Sequence, residues 1–123
     1  MRNNTLRAYQ TVENATMSDR QLEAVILGRS ATRMQAVQAN WDSEARDEML
    51  DEALRYNQRL WTLFQTELMQ AGNPMPDEIK RNLLSLSAFV DKRTFEILSE
   101  PDPQKLSILI EINRNIAAGL NTH

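Results

Sequence analysis

The stretch from Tyr56 to Leu68, reading YNQRLWTLFQTEL, limits the fold more than any other part of this chain. Steps of three and four residues put Leu54, Asn57, Trp61, Phe64 and Leu68 on one face of a helix. Met49, Ala53, Tyr56, Leu60 and Leu63 repeat the pattern one column over. An ordinary surface helix buries one apolar stripe and shows its other side to water. A helix that is apolar over about half its girth must touch several neighbours, or neighbours and a partner. Such a second column is most often core. A bundle of this size does not obviously need both columns on one helix, however, and leftover apolar surface marks a partner site. Met49, Ala53, Tyr56, Leu60 and Leu63 are therefore the candidate partner-binding residues, with helix-in-groove docking as the matching mode.

Composition agrees with a helical reading. The 123 residues include 3 Gly and 4 Pro, most of them where helices should end or begin. The expected fold is all-α: a small antiparallel bundle of four main helices, preceded by a short N-terminal helix or arm over residues 1–16. The length suits one domain, residues 1–123, with one core that needs no staples. There is no cysteine, which excludes disulfides, thiolate metal sites and cysteine nucleophiles. The formal net charge of -3 supplies no general attraction to phosphate backbones or anionic lipid. No apolar run follows Met1–Thr5, and none approaches the ~20 residues that cross a bilayer. A cytoplasmic protein without membrane association is expected.

Taken in order, the arm carries only scattered apolar positions (Leu6, Tyr9, Val12). Ser18-Asp19-Arg20-Gln21 is a capping-box pattern that opens a helix running to about Ala39, with Leu22, Val25, Ile26, Arg29 and Val37 roughly on one side. Asp42 and Ser43 offer the next N-cap, with Glu44, Asp47 and Glu48 in the first turn where the helix dipole favours acids. That helix holds its pattern to Ala71, roughly 40 Å at ~1.5 Å per residue, and Gly72-Asn73-Pro74 ends it. Pro76, Asp77 and Glu78 start a third helix with Ile79, Leu83, Leu86, Val90 and Ile97 as its stripe, widened by Leu84, Phe89 and Leu98. Asp102 caps the last helix. Leu106, Leu109, Ile110, Asn113, Ile116 and Ala117 line one side of it, Ile108 and Ile112 lie on another, and Gly119 stops it.

Residues that carry chemistry are scarce. His123 is the only histidine and stands at the very end, which leaves no Ser-His-Asp arrangement and no histidine-based zinc site. Glu44, Asp47, Glu48, Asp51 and Glu52 cluster, yet dicarboxylate metal sites in bundles pair Glu with His. Asp51 with Arg55, and Asp77 with Arg81, read instead as solvated ion pairs four residues apart. No cofactor is expected. Arg29, Arg33 and Arg46 near Trp41 make a weak nucleic-acid signal, because acids are interspersed. Asn57 and Asn113 stand where apolar residues belong. Burying an amide without partners costs on the order of 1–3 kcal/mol, so each must be hydrogen-bonded. Either they fix helix register, or they anchor a bound peptide. With Trp61, Phe64, Leu86, Val90 and Ile110 they form the expected core and register set.

Several blocks together resemble one family. They are Asn57-Gln58-Arg59-Leu60-Trp61, Pro76-Asp77-Glu78-Ile79, Leu84-Ser85-Leu86-Ser87-Ala88-Phe89-Val90, and Leu109-Ile110-Glu111-Ile112-Asn113-Arg114-Asn115-Ile116 with Gly119-Leu120. In this order and spacing, with Ala8-Tyr9-Gln10 at the start, the chain resembles the FlaF family of alphaproteobacterial flagellar biosynthesis proteins. Phe89 departs from the family's tryptophan, which changes the volume of one apolar site. The resemblance implies a non-enzymatic role in flagellin production: binding unassembled flagellin as a chaperone and modulating flagellin synthesis and secretion, beside the regulator FlbT. The partner segments it implies are flagellin's terminal ones, which become amphipathic helices only in the filament. It carries over no catalytic residues. Two other readings stay open. One is a direct RNA-binding regulator of flagellin message, against which the charge argues; the other is a structural homodimer that consumes the second column.

Overall fold

Among residues 19–121, which the computed structural model describes, turns at 40–45, 69–76 and 100–104 divide the chain into four helices. These are α1 (Asp19–Ala39), α2 (Arg46–Leu68), α3 (Asp77–Ser99) and α4 (Lys105–Asn121), with no strand among the described residues. The arm over residues 1–16, the Ser18 hydroxyl of the capping box and His123 lie outside that range.

The boundaries depart from expectation in four places, each for a local reason. Before α2, Ser43 Oγ accepts the Ala45 N–H at 3.1 Å, and Ser43 O accepts the Arg46 N–H at 3.1 Å. A hydroxyl spent two residues ahead closes a turn rather than capping a helix. Asp42 and Ser43 are thus turn residues, and α2 opens behind Ala45 with no side-chain cap. At its far end α2 stops at Leu68, not Ala71. There Asn73 Nδ2 donates to Glu67 O at 3.0 Å, so an asparagine amide takes up a last-turn carbonyl. No glycine among the described residues has a positive φ, so Gly72 is not a left-handed cap. Gly119 does not stop the last helix either; α4 runs through it to Asn121. Asp102 repeats the Ser43 arrangement, its carboxylate accepting the Gln104 N–H at 2.9 Å two residues on, so it too is a turn residue and α4 opens at Lys105.

Short connections make successive helices antiparallel neighbours. α1 packs on α2, α2 on α3 and α3 on α4, and α1 closes the ring against α4 in the most extensive interface of the four. Gln38 Nε2 ties that interface by donating to Pro103 O at 2.8 Å and Ser107 Oγ at 2.9 Å. Trp61, Leu27, Met34, Leu54, Val90, Ile97, Leu106 and Leu109 are closed to solvent. Trp61 meets the half-buried Phe64 edge to face, centroids 5.7 Å apart at 83°. Leu86 is half-buried against this core, and Ile110 is buried in it.

The buried side of α1 is rotated by about one residue from the predicted stripe. Ala24, Leu27, Ser30, Ala31, Met34 and Val37 are buried, Leu22 and Ile26 are half-buried, and Val25 and Arg29 are exposed. Small side chains carry little apolar weight in a sequence, yet they are what allow α1 to lie close against α4 and α2. On α3, Ile79 and Leu98 are exposed rather than part of the stripe, while Ser87 and Thr94 are buried. Thr94 satisfies its hydroxyl by donating to Val90 O at 2.7 Å, and Ser87 Oγ accepts from Gln65 Nε2 of α2.

Candidate functional site

Three helices meet in a buried polar cluster. Trp61 Nε1 on α2 donates to Asn113 Oδ1 on α4 at 3.0 Å, and Asn113 Nδ2 donates to Asn57 Oδ1 at 2.7 Å. Ser30 Oγ on α1 donates to the same Asn57 oxygen at 2.9 Å. All four side chains are buried, so the cluster is not a surface to which a peptide could anchor. Its bonds lie between helices, and a one-residue slip of any of them would strand donors in an apolar interior. Asn57 and Asn113 fix register.

The second column of α2 divides. Ala53 and Leu60 are only 3% and 6% exposed, enclosed by this chain's own core, and do not belong to a free surface. Met49 and Tyr56 are half-buried. Leu63 stands open at 64%. The physical reason is the seam with α1. The column faces that helix, so its inner members become floor and its outer members become rim. Other large apolar side chains lie open as well, Met69 at 75% and Phe95 at 72% among them.

The rim along this seam is basic as well as apolar. Arg33 of α1 lies over the Tyr56 ring, 4.2 Å from guanidinium carbon to centroid. With Ser30 bonded to Asn57, this contact sets the antiparallel register of α1 against α2. Arg29, Arg33 and Arg59 are exposed. The ion pairs among the described residues are Arg46–Asp47, Arg55–Asp51 and Arg93–Glu96, so none of these three arginines is held by a carboxylate. Asp77 and Arg81, expected as a pair, do not form one. An open hollow on the outer side of α2 is lined by Arg55, Gln58, Arg59 and Thr62. Arg46 stacks on Trp41 at 4.4 Å but is engaged by Asp47, so it stands apart from the trio.

Sequence reading missed this arrangement although its signal was present. Arg29 and Arg33, four residues apart, stood only in a weak nucleic-acid signal with Arg46, whereas Arg33 lies at the α1–α2 seam on Tyr56. Phe95 and Met69 carried no signal, since an exposed apolar residue reads like a buried one until the neighbouring helix is placed.

A family model described as flagellar protein FlaF matches residues 5–120, nearly the whole chain. The chain belongs to the FlaF family. No curated protein and no solved structure matches it. In FlaF terms, the blocks that carried the resemblance include the register cluster itself: Asn57 and Trp61 lie in one, Asn113 in another. No helix among the described residues of this FlaF protein is long and apolar enough to cross a membrane.

Proposed function

We propose that this flagellar protein binds unassembled flagellin in the cytoplasm as a chaperone, and through that binding modulates flagellin synthesis and secretion without catalysing a reaction. The observation that carries the reading is Leu63, open at the rim of a seam whose floor, Ala53 and Leu60, is already complete. A closed floor with an open apolar rim can receive one more helix without disturbing the fold. Flagellin's terminal segments, apolar on one face and unpartnered before assembly, are helices of that kind. Ordering such a segment lowers the net affinity, which suits a partner that must later be released. FlbT is a further partner under this reading.

Light scattering on the chain mixed with purified flagellin monomer tests it. The expected result is a monomer alone and a complex with one flagellin when both are present at tens of micromolar. A chain that runs as a stable dimer and takes up no flagellin overturns it, and assigns the open face to a second copy.

A further inference from the structure

We infer that α3 is a lid: it opens as a unit from a core of α1, α2 and α4 that stays assembled, and so uncovers apolar surface that the closed chain hides. The lid is independent of which partner the chain binds.

The buried amides divide the bundle three to one. Ser30 of α1, Asn57 and Trp61 of α2 and Asn113 of α4 are bonded to one another, and α3 contributes nothing to that cluster. Among the described residues, the side-chain hydrogen bonds that join α3 to another helix all come from Gln65 of α2. It donates to Ser87 Oγ and, at 3.4 Å, to Asp91 Oδ2. Elsewhere α3 meets its polar needs within itself. Thr94 donates to Val90 O at 2.7 Å, and Arg93 lies over the Phe89 ring at 5.5 Å. Arg93 Nε stands 3.4 Å from Glu96 Oε1 without a hydrogen bond between them, and opening gives that buried N–H to water. Moving α3 away thus breaks one tie. Pulling out α1, α2 or α4 breaks the cluster and unpairs an indole and two amides.

Apolar burial points the same way. α2 and α3 are both 23 residues long, yet α2 buries six apolar side chains and α3 only Val90 and Ile97. The α3–α4 interface is the least extensive of the four. Helices with few buried apolar contacts are where local opening falls. The chain's four prolines all stand in the two turns that bound α3: Pro74 and Pro76 before it, Pro101 and Pro103 after it. Proline cannot continue a helix, so α3 does not grow into α2 or α4 and moves as a separate rod.

Amide hydrogen exchange of the full chain, resolved by segment, tests the lid. Amides across residues 77–99 should exchange as one group, at least about tenfold faster than the slowest amides of α1, α2 and α4. Ser30→Ala removes a bond that survives in the opened chain. It should speed those slowest amides several-fold, because only global unfolding breaks that bond, and leave α3 unchanged. The chain has no cysteine, so Gln65→Cys/Ser87→Cys can be bridged by a short bismaleimide. The bridged protein, checked for an unchanged helical spectrum, should bring the amides of α3 down to the rate of the other helices. Amides of α3 as slow as the slowest elsewhere in the wild type overturn the lid. Acceleration of all four helices alike by Ser30→Ala also overturns it. So does fast exchange that the bridge leaves untouched, which assigns it to α3 fraying in place.

Discussion

Asn113 reaches across the core to Asn57, its Nδ2 donating to the other amide's Oδ1 over 2.7 Å. The direction of that bond is dictated from one end. An indole nitrogen can only donate, so Trp61 Nε1 turns the Asn113 oxygen toward itself at 3.0 Å and the Asn113 nitrogen toward Asn57. Asn57 must then present its oxygen, which Ser30 also uses, and its own Nδ2 is left buried without a protein partner. One tryptophan thus orients a chain of side chains from three helices. The cluster places α1 against α2, and with it the seam that carries Arg33 on Tyr56.

Asn113→Ala should therefore cost more than an exposed asparagine would. It strands the Trp61 N–H, takes one donor from Asn57 and leaves a cavity, together about 2–4 kcal/mol. Urea unfolding with an unchanged slope and a lowered midpoint checks this.

Trp61→Ala removes the side chain that both fills the centre and orients the amides. A loss of about 3–5 kcal/mol is expected, enough to unfold a chain of ordinary stability. Far-UV circular dichroism at room temperature reads the outcome.

Leu60 and Leu63 are three residues apart on one column and should behave oppositely. Leu60→Asp buries an unpaired charge at a position 6% exposed and should abolish folding. Leu63→Asp changes an open position and should shift stability by less than about 0.5 kcal/mol. Thermal melts of the two variants make the comparison.

Gly28 lies inside α1 with nothing within 4 Å of where a Cβ would stand, and no glycine among the described residues needs a positive φ. Gly28→Ala should stabilise the chain by about 0.5–1 kcal/mol, since alanine restricts the unfolded backbone and favours the helix. A raised melting temperature with unchanged partner binding is the expected result.

The helical class and the ends at Ala39, Asp77 and Ser99 were legible because proline and the three-and-four spacing act locally. α4 was readable almost in full, from Leu106 to Ala117, since its apolar residues are large and evenly spaced. α1 was not. Leu27 and Met34, both closed to solvent, escaped the expected stripe, and so did Ala24, Ser30 and Ala31, whose burial depends on how closely neighbouring helices approach and not on their own apolar weight. The two asparagines stood out as polar residues in apolar company, and that contrast identified them. Which of Met49, Ala53, Tyr56, Leu60 and Leu63 would be floor and which rim depends on where α1 settles. No pattern within α2 contains that information.

Calorimetric titration of purified flagellin monomer into the wild-type chain and into Leu63→Asp is the most direct test of Leu63 as a partner contact. Saturable binding by the wild type, weakened at least about tenfold by a substitution that leaves folding intact, is the result the account predicts. Equal binding by the two proteins would place the partner elsewhere and contradict it.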